Sequence, residues 1–542
     1  MSSSRRELLS WFLGSAAAAV ACRTTPASYA GGFVGPRFAI GHMLREGSTL
    51  PAPSRTVEVP IVIAGGGIAG LSAGWKLSRE GRSDFVLLEL EPTLGGTSAG
   101  TEVLGIPCPT AAHYLVAPRK ERTELVRLLD ELGIVESYLD DGTPIYDEAH
   151  VVMDPEQRVF DRGYWHEGLI PMERATAADR DDLARFENEV SKLIDFRDSD
   201  GRRGFDIPVA ESSDAPSLLA LDELSAAEWL SRRRLASPIL HRMIEVACLD
   251  DFGSALEETS AWAALHYFSA RTERAGEESA PFLTWPDGNA YLVRALASSI
   301  ARPRSDLDRG PRLSTSTLVV RISPRADGRA EVLALSTATG ATTLFVAESV
   351  VVALPGYVRS KVIAGFSSGL SLDWSPTYAP WLVANLHLTE RPDSRGFPTA
   401  WDNVLWDSRS LGYSVATHQK VWDQGPTVWT YYLPFPGDER AGREKLLSLE
   451  FSSAADAIVR DLSRAHLELE PKIDRIEIGR LGHGMPKPKP GFLTHASRRR
   501  AAAPVGPLHF AHTDLSGLAL FEEAFHHGVR AAEELLRRPR DR

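Results

Sequence analysis

Ile61-Val62-Ile63-Ala64-Gly65-Gly66-Gly67-Ile68-Ala69-Gly70 is the stretch on which the reading of this chain turns. A short apolar run meets Gly-x-Gly-x-x-Gly, and Leu71-Ser72-Ala73-Gly74-Trp75-Lys76-Leu77 then begins a helix. The pattern predicts strand, tight turn, helix. Gly65 allows the turn, Gly67 lets the backbone approach a pyrophosphate on the positive helix N-terminus, and Gly70 lets helix and strand pack closely; Gly66 and Ala69 complete the loop. A glycine-rich turn alone says little. Here a second apolar run, Phe85-Val86-Leu87-Leu88, ends at Glu89, close to the ~20-residue offset at which a ribose-binding acid follows the glycines. The combination predicts a dinucleotide site.

The 542 residues suffice for several domains or one large two-lobed unit. A net charge of −12 argues against a nucleic-acid surface. Arg232-Arg233-Arg234 and Arg498-Arg499-Arg500 read as solvated faces. Cys22, Cys108 and Cys248 have neither metal-ligand nor disulfide-framework spacing. No Gly-x-Ser-x-Gly nucleophile elbow between a strand and a helix, no His-Glu-x-x-His and no Cys-x-x-Cys is read from the chain, so nucleophilic and metal chemistry are not indicated.

At the N-terminus, Arg5-Arg6 precedes a short apolar core from Trp11 to Ala21. The stretch is too short to span a bilayer and reads as an export signal over 1–22; the adjacent arginines resemble a twin-arginine signal. Ala19-Val20-Ala21-Cys22 resembles a lipoprotein cleavage box, so the expected location is periplasmic, or membrane-anchored through a lipid on Cys22. Residues 23–55 carry Gly31-Gly32, Pro36, Pro51 and Pro53 and read as a linker or wrapping arm.

The nucleotide unit occupies 56–144, including a second glycine turn at Gly95-Gly96-Thr97 and a small-residue loop ending in His113-Tyr114. Residues 145–280 read as a largely helical insertion covering a pocket. Residues 281–355 return to the nucleotide unit, with strands in a meander over 312–347. Residues 356–470 form the second part of the substrate domain and 471–542 the third part of the nucleotide domain, closed by strand Leu508–Asp514 and helix Phe521–Leu536.

These blocks, in this order, resemble the FAD-dependent amine oxidase superfamily over roughly 57–540. The resemblance implies an α/β fold: a Rossmann-like FAD-binding domain of the GR2 type with an interleaved α+β substrate domain. It implies that Gly65, Gly66, Gly67, Ala69, Gly70, Glu89, Gly95, Gly96 and Thr97 hold the cofactor, although the family commonly has Arg where this chain has Thr97. Val319 would meet the adenine end. Phe510-Ala511-His512-Thr513-Asp514 resembles the second FAD segment, with Asp514 bonding ribityl or phosphate oxygens. The helix starting at Phe521 would aim its amides at the flavin pyrimidine oxygen. Lys361, six residues after Pro355, matches a lysine that holds a water at flavin N5, and His113 stands where the family has a histidine against the ring. The two aromatics that flank the flavin in monoamine oxidases read Gly484 and Leu520, and the flavin-linking cysteine reads His483, so the expected FAD is non-covalent.

The implied activity is oxidation of a C–N bond in a small amine or polyamine-like substrate, with oxygen or a quinone as acceptor and no metal. Two alternatives share the same FAD blocks: a desaturase or isomerase of an apolar lipid or carotenoid, and a flavin-binding partner protein without turnover.

Overall fold

The computed structural model describes residues 28–46, 51–301, 313–365, 374–419 and 424–537. The expected export signal and Cys22 lie outside these residues. The first of two large sheets grows from strand Arg55–Ala64. Its residues Ile61–Ala64 run parallel to Phe85–Leu88 on one side and to Ser349–Val352 on the other. Leu313–Ser314 extends one edge, and Leu508–Phe510 lies parallel to Val350–Val352. Ile61, Val62 and Ile63 are at most 2% exposed, as expected for a parallel strand covered on both faces. The other half of strand Thr342–Val352 turns into an antiparallel meander with Ala330–Ser336 and Thr317–Pro324.

Helix Phe521–Leu536 packs along helix Ile68–Arg79. Gly528 makes this approach possible: a Cβ there would sit 2.2 Å from the Ala69 carbonyl oxygen. The early glycines and the C-terminal segment therefore meet, as the sequence requires if both grip one cofactor.

The second sheet runs Gly31–Val34, Ile473–Pro486, Tyr378–Leu388, Thr427–Pro434, Gly412–Val415, Asp402–Leu405, Gln157–Asp161, Tyr164–Glu167. Tyr378–Leu388 is buried at every residue, which marks it as the central strand. Helix Phe451–Leu462 seals one face through Ala455, Ile458 and Leu462. Helix Pro238–Phe252 approaches the other face, where Leu249 meets Trp381 and Leu411.

Three sequence boundaries move. Residues 145–280 are not helical throughout, because Gln157–Asp161 finds a parallel partner in the distant strand Asp402–Leu405. The helices Ala177–Ile194, Ala226–Arg232, Pro238–Phe252 and Ala261–Ser269 follow. The third part of the nucleotide domain does not begin at 471: Ile473–Pro486 belongs to the second sheet, and the chain rejoins the first only at Leu508. The arm over 23–55 is structured where described, as strand Gly31–Val34 and helix Phe38–Glu46. Among the described residues no helix is long and apolar enough to cross a membrane.

Candidate active site

The glycine loop forms a cradle. Gly65 takes φ 108°, a left-handed conformation that favours glycine, and donates its amide to the Leu88 carbonyl. Gly70 must lack a side chain, since a Cβ would lie 1.9 Å from the Gly65 oxygen. At Gly66 a Cβ would press on Glu89 at 2.9 Å. Gly67 differs: nothing lies within 4 Å of its Cβ position. It caps helix Ile68–Arg79 without a side-chain partner, so the amides of Ile68, Ala69 and Gly70 have no intrahelical acceptor. The Ala69 side chain is buried, leaving that amide as what it can offer a ligand.

The other cradle residues converge on Gly67. Gly95 donates to the Gly66 carbonyl at 2.8 Å, and Gly96 and Thr97 stand exposed beside Gly67. Glu89 accepts from the Gly66 amide at 2.7 Å and from the Glu91 amide at 2.8 Å, which leaves one lone pair on each oxygen for ribose hydroxyls. Burial raises its pKa, against those amide bonds. The Thr317 amide donates to the Glu89 carbonyl, so Val319 sits two residues into the strand that starts at this acid, buried in the core. An open concavity floored by unpaired amides, with a carboxylate at one end, fits a dinucleotide pyrophosphate and ribose.

A track leads from the cradle to the second sheet. Ala112 donates to the Thr97 carbonyl at 3.0 Å, which places His113 directly beyond the phosphate turn. Val116 donates to Glu522 at 3.0 Å in the first turn of the helix that Phe521 begins. Leu520 caps that helix with no side-chain bond, so its first amides stay available. Glu522 and Glu523 share this turn, and burial pushes both up to about 7.

Asp514 and Lys361 are the remaining expected site residues. Asp514 is wholly buried. Its Oδ2 accepts from the Gly356 amide and the Tyr378 hydroxyl, each at 2.6 Å, while Oδ1 lies 3.1 Å from His512. Burial disfavours its charge, but His512, Arg359 and Tyr378 outweigh that and hold it at about 2. Asp514 therefore ties three segments together through Oδ2, while Oδ1 is buried without a hydrogen-bond partner. After Pro355 the chain coils into helix Gly356–Val362, whose buried side is Gly356, Arg359 and Val362. Lys361 is exposed, on the same helix face as Tyr357. One turn earlier Tyr357, 37% exposed, stacks on His483 at 4.0 Å.

His113 ends the track at an aromatic wall. Its ring lies 5.1 Å from Tyr432 and 5.2 Å from Trp401. Nδ1 is 2.9 Å from the Tyr432 hydroxyl, which donates its own proton to the Ala111 carbonyl. The Tyr432 oxygen can then only accept, so Nδ1 carries the imidazole proton and Nε2 is the free acceptor. Burial lowers the His113 pKa to about 4, so the ring is neutral at pH 7.

Around this wall stand charges that the sequence reading missed. Arg271 donates to both oxygens of Asp251 at 3.0 and 2.9 Å and lies over the Tyr267 ring. Asp250 and Asp402 have no such partner. Burial and the neighbouring Asp251 push Asp250 up to about 7; burial and Asp250 push Asp402 up to about 8. Asp250, Asp402, Tyr267, Tyr432 and His113 keep accessible surface although burial dominates every one of their shifts, the behaviour of side chains that line an enclosed space. Asp250-Asp251 inside an otherwise apolar helix end was the available signal. Asp402 and Tyr432 carried none. At the position expected to lack an aromatic, Gly484 makes room for one: Trp381 Cδ1 lies 2.7 Å from its Cβ position.

The flavin containing amine oxidoreductase family matches residues 68–536. AofH of Mycobacterium tuberculosis, a candidate flavin-containing monoamine oxidase, is 24% identical over 508 residues, covering 89% of this chain and 97% of that protein. Putrescine oxidase bound to putrescine superposes with a TM-score of 0.60 at 16% identity, over 89% of this chain and 100% of that chain. Cyclohexylamine oxidase from Brevibacterium oxydans gives 0.60 at 16%, over 88% and 100%. A fatty acid isomerase from P. acnes gives 0.59 at 14%, over 88% and 98%, so the fold by itself does not select the substrate. With the glycine cradle, the ribose acid and the C-terminal segment assembled on one sheet, the chain is an FAD-dependent oxidoreductase and belongs to the flavin containing amine oxidoreductase family.

Proposed function

We propose that the protein oxidises a C–N bond of a cationic amine, with molecular oxygen as electron acceptor. The observation that carries this reading is the pair of half-buried carboxyls near Tyr432: among the described residues neither Asp250 nor Asp402 forms a salt bridge. An apolar lipid would leave those carboxyls unpaired in a closed site; an ammonium group would pair with them. Relatives that act on putrescine and cyclohexylamine add support.

The residues divide the work. Gly67, Gly96 and Thr97 hold the pyrophosphate, and Glu89 the ribose. Bound FAD supplies a hydride acceptor for the carbon next to the amine nitrogen. His113, neutral, brings no positive charge against a cationic substrate and offers Nε2 to an amine N–H. Trp401, Tyr432 and Trp381 wall off water. The Arg271–Asp251 pair is internally neutral, so a bound ammonium would favour the ionised forms of Asp250 and Asp402, which burial otherwise keeps largely protonated. Export through residues 1–22, with or without a lipid on Cys22, belongs to the same proposal.

The test is anaerobic bleaching of the purified yellow protein with 1,4-diaminobutane, pentan-1-amine and linoleic acid. Bleaching by an amine, with KM raised about tenfold in Asp402→Asn, is expected for loss of one charge pairing. Bleaching by the fatty acid alone would refute it.

A further inference from the structure

The N-terminal arm joins the two sheets beside the cradle. Gly31–Val34 lies parallel to Ile476–Gly479 on the edge of the second sheet. Phe33 is held between Phe451, at 5.9 Å, and the Arg480 guanidinium, at 3.8 Å. The chain then crosses to the first sheet. The Arg37 amide donates to Glu91 Oε1 at 2.9 Å and its Nε to Oε2 at 3.1 Å. The rest of the guanidinium reaches Thr337 Oγ1 at 3.3 Å and the Leu90 carbonyl. Helix Phe38–Glu46 continues against helix Gly356–Val362, and Leu44 packs on the main core.

Arg37 thus fastens both residues that follow Glu89. The Glu91 amide in turn donates to Glu89. The Glu91 carboxylate is also a like charge that pushes Glu89 toward its protonated form. A cation on Glu91 offsets that push and keeps Glu89 an acceptor.

We infer that the arm is a strap retaining FAD, with Arg37 the positioning residue that holds the Leu90–Glu91 turn and, through it, the Glu89 carboxylate. This rests on FAD binding and is independent of which substrate is oxidised. It gives a chain whose FAD is expected to be non-covalent a further means of keeping its cofactor.

The test compares FAD release from wild-type holoenzyme, Arg37→Ala and Arg37→Lys by the rise in free-flavin fluorescence on dilution. Loss of a half-exposed, several-bonded guanidinium should speed release about tenfold in Arg37→Ala, with Arg37→Lys in between. Added salt should speed wild-type release and leave Arg37→Ala nearly unchanged. Thermal midpoints of the two apoproteins should lie close together, and adding FAD should open a gap that levels off at excess ligand, because stabilisation by bound ligand grows with ligand over Kd and then differs only by the ratio of the two affinities. If Arg37→Ala does not fold, Arg37→Gln, which keeps a donor without charge or fork, carries the same expectation. Release within twofold of wild type, or apoprotein midpoints that already differ by the whole holoenzyme gap, would overturn the inference.

Discussion

Gly67 and Gly70 lie three residues apart in one loop, yet the structure assigns them opposite reasons for being glycine. An alanine at 70 would place its methyl 1.9 Å from the Gly65 oxygen, 3.1 Å from the Gly65 carbonyl carbon and 3.3 Å from Ile63 Cγ2. The first two are backbone atoms of a buried turn, so relief requires moving helix against strand. Overpacking of this kind costs about 3 kcal/mol or more. An alanine at 67 would meet nothing within 4 Å, and φ −73° with ψ −178° suits any residue. Its cost to the fold is the difference between Gly and Ala at an N-cap, about 0.5–1 kcal/mol. The methyl would instead stand in front of the free amides of Ile68, Ala69 and Gly70. Losing one or two charge-assisted hydrogen bonds there is worth about 1.5–3 kcal/mol, or roughly tenfold to a hundredfold in FAD affinity. The assay pairs urea denaturation of apoprotein, followed by tryptophan fluorescence, with FAD titration. Gly70→Ala should lower the urea midpoint clearly. Gly67→Ala should leave it nearly in place while weakening FAD binding. Equal destabilisation by both, or wild-type FAD affinity in Gly67→Ala, would refute the assignment of Gly67 to the phosphate.

The Asp402 carboxyl, held at about 8 by burial and Asp250, with Glu156 also facing it, predicts a pH dependence of stability. The unfolded chain releases this proton near the usual ~3.9, whereas the fold keeps it to about 8. The stability it contributes is complete below pH 4 and drains as pH rises to 8. Asp402→Asn cannot ionise, so its thermal midpoint should exceed wild type at pH 8 and match it at pH 4. Tyr432→Phe removes the acceptor of His113 Nδ1–H and the donor to Ala111, and should lower the thermal midpoint by an amount equivalent to about 1–2 kcal/mol.

Legibility in the sequence followed distance along the chain. The cradle was readable because its parts are neighbours: strand, turn glycines and helix start are set by backbone sterics within ten residues, and Glu89 by one βαβ repeat. The offset of Lys361 from Pro355 did not by itself say how the side chain is presented, because the chain between them coils into a seven-residue helix. The helical reading of 145–280 failed at Gln157–Asp161 because a strand of five residues is decided by its partner, here some 245 positions away.

The sequence alone therefore determined that a dinucleotide is gripped and which glycines do it, since local conformational limits leave that loop few alternatives. The enclosed space beside it is a different matter. Its charges come from a helix end, a strand start and a loop, and only packing those elements around a shared core could bring Asp250, Asp402, Arg271 and Tyr432 together. Burial then decided which of those carboxyls have a partner and which wait for one. The same holds for Arg37 and Glu91, which are 54 positions apart and meet because an arm pairs with the edge of the second sheet before crossing to the first.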